Sequence, residues 1–345
     1  MTSKYRYTIS LPKNITIEYS DLFESRGSYT YKQVSYRNLK NVFISNNGTI
    51  LHNLFIPLDS AENLFGFTDK TFYLGRLKKA TEEYFVCKYG KSLKKVELYD
   101  DNLYFSIHTP WFGYFSWITT YLPRLLNFME LSINAYLLYP EEWDDIDYVK
   151  ESLKLFPKLK IKKIKYDHHV FVKNYLLLPC RKWTSHFLKE DLFKVRDYFY
   201  KIECNKDFYH QNIYISRENA KRRMILNENS ILNILEKYDV VPYIMEDYSY
   251  IEQICIMKNV KVVFGLHGAG LTNVNFMQSG GKVVEFTPIL NDNRNFRFPF
   301  WRMSEILGLE YYVLFCETTD NCKDLYESNV IIDELELQKN LNLIF

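Results

Sequence analysis

The sequence of 345 residues has almost no excess of charge of one sign, and it contains neither repeats nor low-complexity tracts. Its 44 basic and 42 acidic residues give a formal net charge of +2, which is too small for a protein that binds nucleic acid through the phosphate backbone. Hydrophobic residues make up 47% of the chain and aromatic residues 17%, so disorder is excluded. The length favours two domains of about 100 to 200 residues each.

Cysteine motifs and long apolar segments are also missing. The six cysteines form no CxxC pair and show no metal-ligand spacing, so the sequence predicts reduced thiols. They are Cys87, Cys180, Cys204, Cys255, Cys316 and Cys322. The first residues are polar and lack the apolar core of a secretory signal. The longest run without charge, 102–123, contains His108 and Pro110, which favours a buried segment over a membrane anchor.

The hydrophobic pattern changes along the chain. Residues 1–100 carry short alternating apolar stretches that predict strands, with a hairpin turn at Asn47 and Gly48. Over 103–180, and again from about residue 186, strands alternate with helices, which predicts parallel sheets. The predicted division is an N-terminal domain, a C-terminal domain and a terminal helix, over residues 1–185, 186–325 and 326–345.

The most informative segment is 261–288, which reads KVVFGLHGAGLTNVNFMQSGGKVVEFTP. It predicts a strand, a glycine-rich turn, a short helix and a second strand. Gly265, Gly268 and Gly270 permit a tight turn whose amides and helix N-terminus would face a phosphate beyond the strand end. The spacing GxxGxG matches neither the dinucleotide fingerprint nor the P-loop, so a plain packing turn stays open as the alternative.

This segment resembles glycosyltransferase family 61, whose members carry a G-x-HGAGLTN-x-x-F-M block followed by a glycine turn and VVE-x-x-P. The matching positions are Gly265, His267, Gly268, Ala269, Gly270, Leu271, Thr272, Asn273, Phe276, Met277, Gly280, Val283, Val284, Glu285 and Pro288. Upstream, NIYISRENAKRRMILNENSIL is similar to a second block of the family. There the matching positions are Ser216, Arg217, Arg223, Asn227 and Glu228.

The resemblance implies a donor site for a nucleotide-diphosphate sugar. Arg217, just past a strand, would bind the diphosphate and steady the leaving group, although a solvated basic turn is the alternative. Glu285, expected at a strand end, would bind the ribose hydroxyls. Around Glu252 and Gln253, helix capping by Ser249 competes with a functional role. The predicted donor-binding residues are Ser216, Arg217, Arg223, His267, Gly268, Ala269, Gly270, Leu271, Thr272, Asn273 and Glu285.

A third block, WFGYFSWITTYLPRLL, is similar to an aromatic-His-Trp segment of the family that ends in LPRL. Trp117 would stack on sugar faces in the cleft. Ser116 and Thr120 stand where the family commonly has His and an acid, and neither hydroxyl has a pKa suited to a general base. His108 is the nearest imidazole and is the predicted catalytic base, with a packed core histidine as the alternative. Asp101, Glu246 and Asp247 are weaker candidates.

Asp145 and Asp147 form a D-x-D pattern, which many sugar transferases use to hold a divalent cation. The surrounding EEWDDIDYVKESL is more typical of the acidic first turn of a helix. The resemblance to a metal-independent family points the same way. We therefore predict no metal and no cofactor, with the nucleotide sugar as co-substrate.

The resemblance implies an α/β fold of GT-B type, in which two Rossmann-like domains face each other across a cleft, preceded here by a strand-rich N-terminal segment. The predicted function is inverting transfer of a sugar from a nucleotide-diphosphate sugar, with UDP as the expected nucleotide, to a glycan or protein hydroxyl. The alternatives are a catalytically degenerate nucleotide-binding scaffold and a nucleotide-sugar epimerase or hydrolase. We expect no nucleic-acid partner, no transmembrane segment, and a location in a bacterial or viral-host cytoplasm.

Overall fold

The computed structural model divides the chain into two compact units. It describes residues 4–32, 35–57, 70–90, 94–180, 185–204, 210–220, 222–288, 298–319 and 327–345. The first unit comprises Met1–Tyr5 and Thr30–Asp191, and the second comprises Arg6–Tyr29 and Leu192–Phe345. This division differs from the predicted one because Arg6–Tyr29 and the terminal helix both group with the second unit.

The first unit is built on a mixed sheet. Its strands are β3 (Arg37–Ile44), β4 (Ile50–Leu51), β5 (Lys95–Leu98), β6 (Tyr104–Phe105), β7 (Tyr136–Pro140), β8 (Lys160–Ile164) and β9 (His169–Leu177). Among the described residues the order is β4-β3-β9-β6-β7-β8, with β5 also beside β9. The β3–β4 pair is the predicted hairpin, and Gly48 in its turn has a φ of 85°, a left-handed conformation that favours glycine. Two short strands near the N-terminus, β1 (Lys4–Thr8) and β2 (Ser28–Lys32), form a separate two-stranded sheet.

The first hundred residues also contain helices, which corrects the prediction of a strand-rich segment. They are α1 (Ile17–Glu24) and α2 (Lys70–Tyr89), of which the second is 20 residues long. The helical spacing of hydrophobic residues in α2 is hard to recognise, because the large apolar residues Leu74, Phe85 and Val86 are exposed while Ala80 and Cys87 are buried.

The aromatic run forms helix, as expected. It comprises α3 (Tyr114–Ser116), a π-helical turn (Trp117–Tyr121) and α4 (Leu122–Glu130), and Pro123 lies where the π-helical turn passes into α4. A 3₁₀ turn (Glu141–Asp145) and α5 (Asp147–Lys154) follow β7.

The second unit has a doubly wound sheet. Its strands are β10 (Asn212–Ile215), β11 (Val241–Tyr243), β12 (Val262–Leu266), β13 (Lys282–Pro288), β14 (Glu310–Thr318) and β15 (Val330–Ile331). In the described part of the chain their order is β11-β10-β12-β13-β14-β15. The first five are parallel, and β15 is antiparallel. The chain leaves β10 toward β11 on one side and returns at β12 on the other, so the gap between β10 and β12 is a topological switch point, where ligands of open α/β sheets bind.

Helices cover this sheet. They are α6 (Lys189–Phe199), α7 (Glu228–Leu235), α8 (Tyr250–Asn259), α9 (Pro299–Leu307) and α10 (Glu334–Ile344), together with 3₁₀ turns at Glu236–Tyr238, Met245–Asp247 and Ala269–Phe276. One core cluster joins alternate residues of the central strands, such as Phe264, Val284 and Tyr312, to Leu337 and Leu341 of α10. Strands β14 and β15 and helix α9 have no counterpart in the sequence prediction.

The N-terminal segment contributes to the second unit through specific polar contacts. The Asn14 side chain bonds the backbone of Val313 in both directions, donating over 2.7 Å and accepting over 3.0 Å. The indole of Trp301 donates to the carbonyl of Ser10 over 2.7 Å. Because these partners are distant in sequence, the pattern of the first thirty residues could not indicate where they pack.

A disulfide joins Cys204 to Cys255 and corrects the prediction that all six cysteines are reduced. Cys255 lies in α8, and Cys204 lies in the connection that precedes β10. The spacing of 51 residues follows no short motif, so the pairing depends on tertiary proximity. Cys316 is a free, buried thiol, while Cys322 lies outside the described residues.

Candidate active site

The carboxyl ends of β10 and β12 bring together two segments that the sequence analysis singled out. Ser216 and Arg217 directly follow β10, and His267 and Gly268 directly follow β12. The strands are paired in register, with Ile215 opposite Gly265. The predicted phosphate-binding residues therefore converge at the switch point of the second sheet.

Arg217 is held there by its own loop. Its Nε donates to the carbonyl of Arg223 over 2.9 Å, and its Nη2 donates to the carbonyl of Arg222 over 3.1 Å. Nη1 lies so close to the turn that a Cβ atom on Gly268 would be 3.2 Å from it. Among the described residues no hydrogen bond engages Nη1. The pKa of Arg217 is lowered because the guanidinium is partly buried, and the nearby Glu246 carboxylate only partly offsets this effect.

In the glycine turn, Gly265 and Gly270 pack closely against neighbouring side chains, whereas Ala269 is exposed. A Cβ atom on Gly265 would approach Leu271 to 3.0 Å, and one on Gly270 would approach Ile215 to 3.2 Å. A side chain at either glycine would therefore crowd the packing of the 3₁₀ turn against β10. Ala269 is exposed at the start of this turn, where backbone amides have no intrahelical acceptor and can donate to an anion.

His267 and Glu285 form a buried pair beneath the turn. Nδ1 of His267 makes a short contact with Oε1 of Glu285, and the Tyr311 hydroxyl donates to Oε2 over 2.6 Å. Only 6% of His267 and 1% of Glu285 is exposed. Glu285 lies within β13, not at its end, and both of its oxygens accept bonds from the protein. This corrects the predicted position of Glu285 and leaves it poorly placed for ribose hydroxyls.

The other residues of the upstream block stabilise the loop that carries Arg217. One oxygen of Glu228 accepts bonds from the hydroxyls of Tyr214 over 2.5 Å and Ser216 over 3.1 Å. Asn227 bonds the backbone of Ile332 in both directions. Arg223 adopts a left-handed φ of 57° and supplies its carbonyl to Arg217.

The end of the HGAGLTN block points into the protein. Leu271, Thr272 and Asn273 are at most 1% exposed, so their side chains are structural. The Asn273 amide donates to Gln253 over 3.0 Å, and Gln253 donates to the carbonyls of Met245 and Tyr248. The Gln253 side chain therefore links the 3₁₀ turn that contains Asn273 to the segment that follows β11.

Helix capping accounts for the neighbouring glutamate. The Ser249 hydroxyl accepts from the amide of Glu252 over 3.2 Å, while the Glu252 carboxylate accepts from the amide of Ser249 over 3.0 Å. This is a complete capping box at the start of α8. The capping alternative weighed for Ser249 and Glu252 is therefore confirmed.

The predicted base, His108, lies in the first unit and has the environment of a core residue. It is 8% exposed, and its ring packs edge-on against Trp143 at 5.4 Å. Burial, helped by the charge of Arg124, lowers the pKa of His108 to about 3. Such an imidazole is a poor proton acceptor at neutral pH, so the structure gives no support to His108 as catalytic base.

Trp117 also has a structural position. It is fully buried, and its indole donates to the Ser152 hydroxyl over 3.0 Å. The predicted stacking of Trp117 on a sugar is therefore wrong, because the ring has no exposed surface to offer. Arg124 of the LPRL segment is likewise buried and clamps the carbonyls of Ile107 over 2.5 Å and Leu178 over 2.8 Å.

The remaining candidates for a base differ in exposure. Ser116 and Thr120 are 8% and 3% exposed. Asp101 is exposed but bonded to Lys173 over 2.6 Å, which lowers its pKa. Glu246 and Asp247 are exposed in the 3₁₀ turn that follows β11, at the same edge of the sheet as Arg217.

Asp145 and Asp147 lie where the 3₁₀ turn after β7 passes into α5. Asp147 is in the first turn of α5 and pairs with Lys150 over 2.9 Å. Within the described ranges, no group of three or more His, Cys, Asp or Glu side chains is arranged to hold a metal ion. In the same ranges, no helix has the length and apolar character needed to cross a bilayer.

The chain is thus an α/β protein in which Arg217 and a glycine turn meet at the carboxyl ends of β10 and β12, the switch point of the second sheet. Residues 114–284, just under half of the chain, match the family model described as Glycosyltransferase 61. This confirms the resemblance to glycosyltransferase family 61 that the motifs predicted. The matched range contains both the Arg217 loop and the glycine turn.

Named relatives agree with this result. The EGF domain-specific O-linked N-acetylglucosamine transferase of Drosophila melanogaster is 30% identical over 105 residues, which cover 27% of this chain and 20% of that protein. The protein of the same name from Bos taurus is 30% identical over 78 residues, or 21% of this chain and 15% of that one. The alpha-1,3-arabinosyltransferase XAT2 of Oryza sativa subsp. japonica is 32% identical over 104 residues, or 29% and 17%. The matches thus span at most a fifth of these relatives.

Proposed function

We propose that this protein is a glycosyltransferase that uses a nucleotide-diphosphate sugar, with the donor diphosphate bound at the carboxyl ends of β10 and β12. The observation that carries the proposal is the position of Arg217, whose Nη1 lies at the Gly268 turn at the switch point of the sheet. The relatives that share the family are named as sugar transferases. A GT-B arrangement of the two units belongs to the same proposal.

The chemistry follows from charge. When the bond between the sugar and the diphosphate breaks, negative charge grows on the leaving phosphate, and a fixed guanidinium stabilises it without reorganising. Arg217 is suited to this because two carbonyls fix its plane and leave one nitrogen for the ligand. The amides at the start of the 3₁₀ turn would donate to the same phosphate.

The finer parts of the proposal are a UDP-linked donor, inversion at the anomeric carbon, metal independence and a glycan or protein hydroxyl as acceptor. The names of two relatives, one acting on EGF domains and one transferring arabinose, support an acceptor hydroxyl and a sugar donor. A cytoplasmic location also stays a proposal. The disulfide weighs against it, because such bonds are rare in reducing compartments.

One observation favours a second candidate, a nucleotide-binding protein without transferase activity. Ser116 and Thr120 replace the residues that the family commonly has, and both are buried. If the reaction needs a base from this block, the chain would bind the donor and leave it intact.

The test is to incubate the purified protein with UDP-, GDP- and CMP-sugars and to measure thermal stabilisation and nucleotide release. Ligand binding raises stability in proportion to the logarithm of concentration over the dissociation constant, so an inert binder also reports itself. Arg217→Ala should lose the stabilisation. The matched control is Arg222→Ala, because that side chain pairs with Glu327 over 2.6 Å while its carbonyl still holds Arg217.

The outcomes separate the candidates. Stabilisation with consumption of one sugar nucleotide in the presence of an acceptor supports the transferase. Turnover of the donor alone indicates an epimerase or hydrolase, and stabilisation without turnover indicates the inert binder. If no nucleotide stabilises the protein, or if Arg217→Ala behaves like Arg222→Ala, the donor site is elsewhere.

A further inference from the structure

The disulfide of the second unit lies beside a lysine. Nζ of Lys258 donates to the carbonyls of Tyr200 over 3.0 Å and Ile202 over 2.7 Å, and it lies 3.7 Å from Sγ of Cys204, close enough for a hydrogen bond to sulfur. An ammonium group has three protons, and these three acceptors account for all of them. One sulfur of the Cys204–Cys255 pair is therefore in contact with a cationic group.

The arrangement follows from the spacing of two residues in α8. Cys255 and Lys258 are three residues apart, so their side chains project from the same face of the helix. The segment that follows α6 passes this face and brings Tyr200, Ile202 and Cys204 to the lysine. Lys258 therefore holds the same segment that the disulfide attaches to α8.

The two cysteines differ in their access to solvent. Cys255 is 3% exposed, whereas Cys204 is half-buried. A thiolate from solution attacks a disulfide at the sulfur that it can reach. Cys204 is thus the point of attack, and its sulfur is the one that Lys258 contacts.

The charges around Cys204 favour an anion at its sulfur. Lys258 faces it from α8, and the other charged residue of that helix, Glu252, is engaged in the capping box at the opposite end. Glu203 and Lys201, which are close in sequence, have opposite charges and are exposed to water. Burial lowers the pKa of Lys258, and a neighbouring thiolate would offset the cost of burying the ammonium.

We propose that Cys204 is a site of reversible thiol–disulfide exchange with small thiols, and that Lys258 stabilises the thiolate released there. In the disulfide the sulfur is a weak hydrogen-bond acceptor, whereas a thiolate is charged, so the contact with the ammonium strengthens on reduction. The bonds of Lys258 to Tyr200 and Ile202 hold the segment on α8 when the disulfide is open. The two sulfurs therefore stay close enough for the bond to form again.

The exchange consumes two small thiols. The thiolate of the first attacks Sγ of Cys204, the bond to Cys255 breaks, and its electron pair leaves on Sγ of Cys255, which takes a proton from water. The thiolate of the second attacks the sulfur of the small molecule in the mixed disulfide, and Cys204 leaves as a thiolate beside Lys258. The protein disulfide gains two electrons, and the two thiols are oxidised to one small disulfide. The reverse steps restore the protein bond with a small disulfide as the oxidant.

Alkylation of Cys204 in the full chain tests the proposal. In Cys255→Ser, Cys204 is a permanent thiol, and mass spectrometry of its peptide gives the rate of reaction with iodoacetamide as a function of pH. We expect the midpoint of this profile at about pH 7.5 or lower, below the ordinary cysteine pKa of about 8.5. Adding Lys258→Met should raise the midpoint and slow alkylation at neutral pH by about fivefold. Lys258→Arg keeps the charge and should preserve the low midpoint.

A second lysine provides the matched control. Lys261 is exposed and lies just past the end of α8, so Lys261→Met should leave the midpoint unchanged. With both cysteines present, the ratio of dithiol to disulfide protein in a glutathione buffer should fall by about fivefold in Lys258→Met and stay at the wild-type value in Lys261→Met. A purely structural role of Lys258, as a cap for the two carbonyls, would not move the thiol midpoint.

A measurement on the unmodified protein covers the case in which the variants fail to fold. In reduced wild type, Cys204 should react with iodoacetamide with the same low midpoint, and oxidised glutathione should restore the linked peptides. A Cys204 midpoint at or above about 8.5 overturns the proposal. A folded Lys258→Met protein with an unchanged midpoint also overturns it. No sugar nucleotide enters these measurements, so their outcome is independent of the proposed transferase function.

Discussion

A Cβ atom added to Gly268 would lie 3.2 Å from Nη1 of Arg217, so the guanidinium lies close against the glycine turn. The φ of Gly268 is 172°, an extended conformation that any residue adopts. A side chain at this position would therefore push the guanidinium away by a few tenths of an ångström, whereas the backbone conformation itself does not favour glycine.

Gly268→Ala should consequently displace the Arg217 side chain and weaken nucleotide binding. Loss of a charge-assisted hydrogen bond costs about 1.5 to 3 kcal/mol, which corresponds to roughly 10- to 100-fold in Kd. Titration calorimetry or thermal stabilisation with the nucleotide measures the change. Gly75→Ala is the control, because its Cβ would meet nothing within 4 Å. An unchanged Kd for Gly268→Ala would remove Arg217 Nη1 from the ligand site.

Acidification should test the environment of His108. The pKa of this imidazole is about 3 in the folded protein and about 6.5 in the unfolded chain, so between these values the unfolded state binds more protons. The contribution of His108 to stability is therefore constant above about pH 6.5 and decreases as the pH falls toward 3, by at most about 1.4 kcal/mol per pH unit.

Denaturant unfolding of wild type and His108→Asn between pH 7 and 4 measures this contribution. The free energy of unfolding of the variant should fall less steeply with acid than that of wild type. Parallel curves for the two proteins would contradict a buried, neutral His108. Donor binding at neutral pH should be the same in both proteins, since the proposed site does not use this residue.

Trp117→Phe should lower stability without changing the affinity for a sugar nucleotide. The smaller ring leaves a gap in a fully buried position and removes the bond to Ser152, at a cost of about 1 to 3 kcal/mol. Chemical denaturation measures the loss. Trp111→Phe is the matched control, because Trp111 is 38% exposed and its replacement should cost less than about 0.5 kcal/mol. A loss of nucleotide affinity in Trp117→Phe alone would restore its predicted role in the site.

Reduction should destabilise the second unit. The Cys204–Cys255 bond closes a loop of 51 residues, for which the chain-entropy model gives about 4 kcal/mol of stabilisation. A reducing agent should lower the unfolding temperature of wild type and of Cys316→Ser, which removes a free thiol, but it should have a much smaller effect on the double variant Cys204→Ser, Cys255→Ser. Peptide mapping without reduction should recover the linked peptides. Free thiols at both positions would support the original prediction of reduced cysteines.

The alternation of strands and helices was readable from the sequence, because each element has a local hydrophobic period. The strand that ends at Leu266, the glycine turn and the strand through Glu285 all lie where 261–288 predicted them. The long helix α2 was missed because its exposed apolar residues mask the period. The motif predicts that Glu285 binds ribose because it does not show that this carboxylate is buried against Tyr311.

The residues at the two strand ends can be recognised without a structure, since the HGAGLTN and ISR segments each fix their own turn. Their proximity is visible only in the folded chain, because the order β11-β10-β12 places β10 beside β12 although β11 lies between them in sequence. The tertiary structure also decided which candidate side chains are available. Trp117 is fully buried and has no surface for a sugar, and burial lowers the pKa of His108, which makes it a weak base. The register of the strands places His267 beside Glu285. Such properties depend on contacts between distant segments, which local periodicity does not encode.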